Sequence, residues 1–167
     1  MALLALQTTS LAQTVSTNHV IGWVDQGGSN PGEIHIQDID GNCQTAKPLD
    51  GNSRGAVRWN EVTDIIGGSA GIGFYLLDRY ENDKSDKSLS LAMAAGDGLL
   101  DVAIATETDQ GKRLHWKMSD SFPREMPNYS HGTAGICDFL LALDQTCRSS
   151  EEAADYDGRF LKAEVGS

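Results

Sequence analysis

The strongest constraint on the fold of this chain is an internal duplication. The segment GSAGIGFYLL at residues 68–77 aligns without gaps with GTAGICDFLL at residues 132–141. Each copy follows a tryptophan-containing piece, VRW at 57–59 and LHW at 114–116, and precedes a further segment, KSL at 87–89 or RFL at 159–161. One unit therefore predicts an extended piece, a loop, a glycine-rich helix start and a second helix, which is the pattern of a helical hairpin repeat.

Apolar residues at helical spacing support these hairpins. The first and third helices carry equivalent apolar faces, made of Ile72, Tyr75 and Leu76 in one and of Ile136, Phe139, Leu140 and Leu143 in the other. The second helix opens near Asp86 and the fourth near Asp157. The predicted apolar stripe of the second helix is Leu89, Met93, Gly96, Leu100 and Ala103.

A helical hairpin cannot bury its inner face alone, so neighbouring hairpins must complete the core. We therefore expect an all-α fold, a partial α/α toroid (barrel) of hairpin repeats with short strands and long loops. Residues 57–167 form two repeats with the last helix truncated, which suggests a fragment whose exposed hairpin faces allow self-association. Residues 1–56 form a loop-rich N-terminal segment, in which residues 22–55 predict a long loop with one short strand at 34–36.

Composition and charge exclude several classes of function. The formal net charge is −11, with 13 basic and 24 acidic side chains, and this balance argues against a nucleic-acid partner because phosphates need a basic surface. No apolar run approaches the roughly 20 residues that cross a membrane, and the first residues lack the basic start and cleavage site of a signal peptide. Three irregularly spaced cysteines do not form a disulfide framework. A cytoplasmic location is expected.

Two side chains at the helix starts are the candidates for chemistry. His131 stands where the first copy has Gly67, and Asp64 precedes the first helix as Asn128 precedes the third. If equivalent loops share one rim, an acid and an imidazole meet there, and an imidazole can give or take a proton near neutral pH. The alternatives are structural, since His131 also fits a capping or packing role and Asp64 a carboxylate at a helix N-terminus.

The motifs around these residues resemble those of lanthionine synthetase C-like proteins. SHGTAGI, which contains His131, is similar to the family's histidine motif, and TDIIGGSAGIG, which contains Asp64, is similar to its aspartate-bearing segment D-x-I-x-G-x-x-G-I. The resemblance extends over WKMSDSFPREMPNYSHGTAGI and covers about residues 57–165.

This resemblance implies an α/α barrel around a zinc ion that activates a cysteine thiol for attack on a dehydroalanine or dehydrobutyrine, which closes a thioether ring. His131 then matches the acid that protonates the enolate, and Asp64 matches the aspartate that assists it. The implied partner is a peptide or a small thiol.

The sequence departs from the family pattern at the metal. Family members take zinc ligands from later W-C-x-G and C-H-G motifs, and neither motif occurs in this sequence. Cys43, Cys137 and Cys147 do not match them, so we expect no cofactor in this chain and no cyclisation by it alone. Two other functions stay open: a glycosidase-like α/α barrel, which needs two carboxylates across a cleft, and a non-catalytic module that binds glutathione or a peptide.

Overall fold

The computed structural model describes residues 46–49, 55–109 and 111–162 of the chain, together with four strand segments before residue 45. The helices are α1 (Ser69–Asp83), α2 (Asp86–Asp101), α3 (Thr133–Ser149), a 3₁₀ turn (Glu151–Ala153) and α4 (Arg159–Lys162). The strands are β1 (Gln13–Thr14), β2 (Ile21–Val24), β3 (Ile34–Gln37), β4 (Cys43–Gln44), β5 (Lys47–Pro48), β6 (Val57–Arg58), β7 (Ile104–Thr108) and β8 (Gly111–His115).

The described part is roughly half helical with short strands, so the all-α expectation is too narrow. Strands β1 to β4 form an antiparallel sheet in chain order, while β5 pairs with β6 and β7 with β8. The strand expected at residues 34–36 is found as β3, but the expectation of a single strand between residues 22 and 55 is wrong, because β2, β4 and β5 lie there too. These strands span only two to four residues each, and so short a run carries little alternation to signal it.

The β7–β8 hairpin was also absent from the prediction. Its register pairs Ile104 with His115 and Thr108 with Gly111. Gly111 has a φ of +113°, a conformation that glycine adopts without the steric cost that a side chain brings. The sequence signal was weak, because Ile104, Thr106 and Thr108 favour a strand but the partner segment GKRLH has no β-branched residue.

Helix packing follows the duplication. Helix α1 lies against both α2 and α3, and α4 lies against α3 and α2. The predicted faces of α1 and α3 are buried throughout, and the tryptophan of each repeat is buried, Trp59 at 3% and Trp116 at 1% exposure. The Trp116 indole N–H donates to the carbonyl of Leu99 at 2.7 Å, which ties the second unit to the end of α2.

The apolar stripe predicted for α2 is only partly right. Met93 and Leu100 are half-buried, and Ala103 lies beyond the helix. The buried side consists instead of small and apolar residues, chiefly Leu89, Ala92, Ala95, Gly96 and Leu99. Small residues occur there because the neighbours come close: a Cβ on Gly96 would lie 2.6 Å from a methyl carbon of Leu143 and 2.8 Å from the ring of Phe160. Within the described ranges, every helix is too short or too polar to cross a bilayer.

Candidate functional site

The loops that precede α1 and α3 have the same hydrogen bonding. The Asp64 carboxylate accepts the N–H of Gly67 at 3.0 Å, and the Asn128 side-chain oxygen accepts the N–H of His131 at 2.8 Å. Each is a local turn closed by a short side chain, the arrangement that Asp and Asn favour ahead of helices. The duplication in sequence is therefore a duplication in local backbone structure.

A second pair of hydrogen bonds repeats in the same way. The first residue of α1, Ser69, donates its N–H to the carbonyl of Val62 at 3.1 Å, and the first residue of α3, Thr133, donates to Met126 at 2.9 Å. Backbone N–H groups that a helix cannot satisfy internally are thus satisfied by the preceding loop. This close return of the loop fixes where each loop side chain projects.

The glycines at the helix starts permit that close return. A Cβ on Gly71 would overlap the carbonyl oxygen of Ile65, and a Cβ on Gly135 would overlap that of Tyr129. The neighbour that requires glycine is therefore the chain's own preceding loop. Gly67 differs, because a Cβ there meets no atom within 4 Å.

The two candidate residues meet across the loops. His131 Nδ1 lies 2.7 Å from Asp64 Oδ2. The Asp64 side chain is 1% exposed, whereas that of His131 is 39% exposed, so the carboxylate lies beneath the imidazole. Because an ionised carboxylate only accepts hydrogen bonds, the contact places a hydrogen on Nδ1 and leaves Nε2 at the opposite side of the ring. Geometry of this kind fits proton transfer at Nε2.

The loop that carries Asp64 is also bound to the segment leading towards His131. Thr63 donates its N–H to the carbonyl of Met118 at 3.0 Å and its hydroxyl to that of Lys117 at 2.8 Å. The Glu61 carboxylate accepts the N–H of Ser121 at 3.2 Å and the hydroxyl of the same residue. Sequence reasoning missed Glu61 and Thr63, since threonine and glutamate in a loop carry no signal of a distant partner.

The side chains described do not fit the zinc that the resemblance implies. Among them, no three His, Cys, Asp or Glu residues are grouped to hold a metal ion, whereas a zinc site takes three or four such ligands. Burial raises the pKa of the Cys147 thiol to about 11, which favours the neutral thiol over the thiolate that zinc binds. The Cys43 side chain lies outside the described residues.

Comparison with known families identifies the family of the chain. The family model described as "Lanthionine synthetase C-like protein" matches residues 34–158, well over half of the chain and including both His131 and Asp64. The chain belongs to the lanthionine synthetase C-like family. The assignment made from the two motifs is thereby confirmed, and the match begins earlier in the chain than the motifs alone suggested. No curated protein and no solved structure matches the chain.

Proposed function

We propose that this lanthionine synthetase C-like chain takes part in the addition of a thiol to a dehydroamino acid in a peptide, with His131 as the acid that delivers the proton. The observation that carries this proposal is the 2.7 Å contact between His131 Nδ1 and the buried Asp64 carboxylate. A lone histidine would be weak evidence, whereas a half-exposed imidazole oriented by a buried carboxylate has the arrangement that acid–base catalysis needs.

The proposed reaction has two steps, addition of the thiolate and protonation of the enolate. The thiolate sulfur bonds to the β-carbon of the dehydroamino acid, and the electron pair of the double bond becomes an enolate. The imidazolium of His131 transfers its Nε2 proton to the α-carbon, which leaves a neutral imidazole with its hydrogen on Nδ1. Asp64 accepts the Nδ1–H throughout, so it fixes the ring orientation and stabilises the imidazolium before transfer. Because the carboxylate is buried, water screens this interaction little.

The proposal also includes the expected architecture, the expected longer protein and the expected absence of zinc from this chain. The hairpins belong to a partial α/α toroid, and residues 57–167 are the part of a longer protein that supplies the acid. Zinc, which the family resemblance implies, would lower the pKa of the thiol, and its ligands would have to come from outside the side chains described here. On this proposal the 167-residue chain alone binds no zinc and closes no ring, and stoichiometric zinc in the purified chain by elemental analysis would contradict it.

Two alternatives differ in what they require of the site. A glycosidase needs two carboxylates that reach the substrate, but Asp64 is buried and its oxygens already bond to His131 and the Gly67 N–H. No observation favours that function. A non-catalytic module for glutathione or a peptide would bind without moving a proton, so the experiment below separates it from the proposed acid.

The proton transfer can be tested without zinc. A small thiol in excess at near-neutral pH, where an imidazolium is still populated, adds unaided to a dehydroalanine peptide in D₂O. Chiral analysis of the substituted cysteine then shows which face of the α-carbon received the deuteron. We expect the chain to bias the product towards one enantiomer, because a fixed imidazole approaches from one side.

The variants His131→Asn and Asp64→Asn should lose this bias, since an oriented acid contributes about 10²- to 10⁴-fold to such steps. The matched control is His115→Asn, which removes a histidine that lies 3.1 Å from Glu125 and contacts no part of the Asp64 pair. A racemic product with the unaltered chain, or a bias that survives His131→Asn, would remove His131 from the mechanism.

A further inference from the structure

A cavity of about 170 Å³ is lined by residues that include Thr63, next to Asp64 in the chain. Residues 58–63 form one wall, the C-terminal end of α2 and the start of β7 form a second, and residues 117–120 close it. Neither His131 nor Asp64 lines this space, although Thr63, which does, immediately precedes Asp64. The cavity therefore adjoins the loop that carries Asp64, and its lining is distinct from the His131–Asp64 pair.

The most informative residue in the cavity is Ser69, the first residue of α1. It is 4% exposed and lines the cavity, and among the described residues nothing forms a hydrogen bond with its hydroxyl. Among the described residues, the Ser69 hydroxyl oxygen is not one of the fully buried polar atoms that lack a partner. It is therefore open to the cavity, where it can bond to a ligand that supplies a hydrogen-bonding group.

The wall formed by α2 and β7 is apolar. It consists of Leu99, Val102 and Ile104, and Val102 is 37% exposed, one of the few large apolar side chains left in contact with solvent in the described part. An apolar cavity of about 150 Å³ is large enough to hold one benzene molecule. The volume here thus matches a single branched or aromatic side chain and is too small for a folded partner.

The mouth of the cavity carries polar groups suited to a peptide backbone. Arg58 is 41% exposed and reaches Asp120 only at 3.5 Å, so guanidinium N–H groups are available to carbonyl oxygens. Lys117 is exposed at the same rim. An apolar interior with a few polar groups at the edge is the usual composition of a ligand site.

We propose that this cavity is a specificity subsite that receives one apolar side chain of the peptide substrate, an assignment that rests on the proposed function. The hydroxyl of Ser69 bonds to the peptide main chain, and the side chain packs against Val102 and Leu99. Since consecutive Cα atoms are about 3.8 Å apart and Thr63 adjoins Asp64, the residue selected lies within a few positions of the dehydroamino acid.

The test measures peptide binding to the full 167-residue chain. Each probe is a fluorescein-labelled, glycine-rich peptide with one dehydroalanine. One residue, at any of the three positions on either side of the dehydroalanine, is phenylalanine, leucine or glycine, and fluorescence anisotropy gives the Kd of each peptide. At one position, phenylalanine or leucine should bind roughly 10- to 100-fold more tightly than glycine, because one apolar side chain is removed from water. Equal affinity at every position overturns the proposal.

Two variants locate the preference. Val102→Trp fills the cavity and should abolish the preference for an apolar side chain, whereas the control Leu141→Trp, at an equally exposed position on α3 outside the cavity, should retain it. Ser69→Ala should weaken all peptides about 2- to 10-fold, the effect of one hydrogen bond. A preference that survives Val102→Trp in a folded protein contradicts the subsite.

The enantiomer assay for His131 separates the two proposals. If the proton-delivery bias is present but no side chain is preferred, the subsite alone is wrong. If a preference is removed by Val102→Trp but no bias exists, the cavity binds a peptide and the proposed acid is wrong.

Discussion

Replacing Gly135 by alanine should disturb the fold and the site together. A Cβ at this position would overlap the carbonyl oxygen of Tyr129 and lie 2.6 Å from the Ile65 side chain. Tyr129 precedes His131 by two residues, and Ile65 follows Asp64. One added methyl group therefore presses on the two loops that hold the His131–Asp64 contact.

The magnitude follows from two opposed effects. Alanine gains up to about 1 kcal/mol over glycine from helix propensity, whereas overpacking a close contact costs typically about 1–3 kcal/mol. The obstacle is a backbone carbonyl, which cannot swing aside like the end of a flexible side chain, so we place the overpacking cost at the upper end. The free energy of unfolding should fall by about 1–2 kcal/mol.

Urea unfolding, followed by the fluorescence of the buried tryptophans, gives this free energy of unfolding. The enantiomer assay on the same variant measures whether His131 still delivers the proton to one face of the α-carbon. A displacement of about 1 Å in a catalytic geometry can cost 10²-fold, so we expect the product bias to fall even where the protein remains folded. The control is Gly67→Ala, since a Cβ there meets no atom within 4 Å and stability should change by less than about 0.5 kcal/mol. Equal stability and equal bias in Gly135→Ala and the unaltered chain would refute the reasoning.

Three further predictions concern buried or hydrogen-bonded groups outside the site. Arg159 binds the buried Asp97 carboxylate through two hydrogen bonds of 2.6 and 2.8 Å. Arg159→Met should therefore lower the free energy of unfolding by about 3–5 kcal/mol, because it leaves a buried charge without its partner. Urea unfolding measures this, and an unchanged midpoint would contradict it. A hydrogen bond from Ser150 is the main cause that holds the pKa of Glu152 at about 2, below its ordinary 4.5; the stabilisation is present above pH 4.5 and lost as the pH falls towards 2. NMR titration should show a higher Glu152 pKa in Ser150→Ala. Because burial raises the pKa of Cys147 to about 11, iodoacetamide should alkylate it at neutral pH far more slowly in native than in urea-unfolded protein, as mass spectrometry can show.

The duplication made the helical part of this structure predictable. Helices α1 and α3 begin at equivalent residues, Ser69 and Thr133, because each start is specified locally by glycines and by an Asp or Asn turn. Helix α2 begins at Asp86, as its apolar spacing indicated. Helix starts of this kind can be predicted from the sequence because the contacts that fix them lie within a few residues of one another.

The features that sequence reasoning missed depend on distant contacts or on very short strands. The hydrogen bonds from Thr63 to Lys117 and Met118 join positions more than fifty residues apart, and no local sequence pattern predicts them. The sheet formed by β1 to β4 was not predicted for a different reason. Its strands have only two to four residues, which is too few for period-two alternation to distinguish a strand from a loop.

The contact between His131 and Asp64 lies between these cases, and the repeat explains why it was foreseeable. Both loops have the same backbone hydrogen bonds, so their side chains project in equivalent ways. At Gly67 the backbone leaves open space, and the second loop uses the equivalent position for an imidazole. Three residues earlier both loops keep a turn-forming oxygen, but only the first supplies a carboxylate, Asp64, whereas the second has the neutral Asn128. Two copies of one loop have thus diverged at single positions. The divergence places an imidazole against a carboxylate, a pair that two identical copies of either loop would not form.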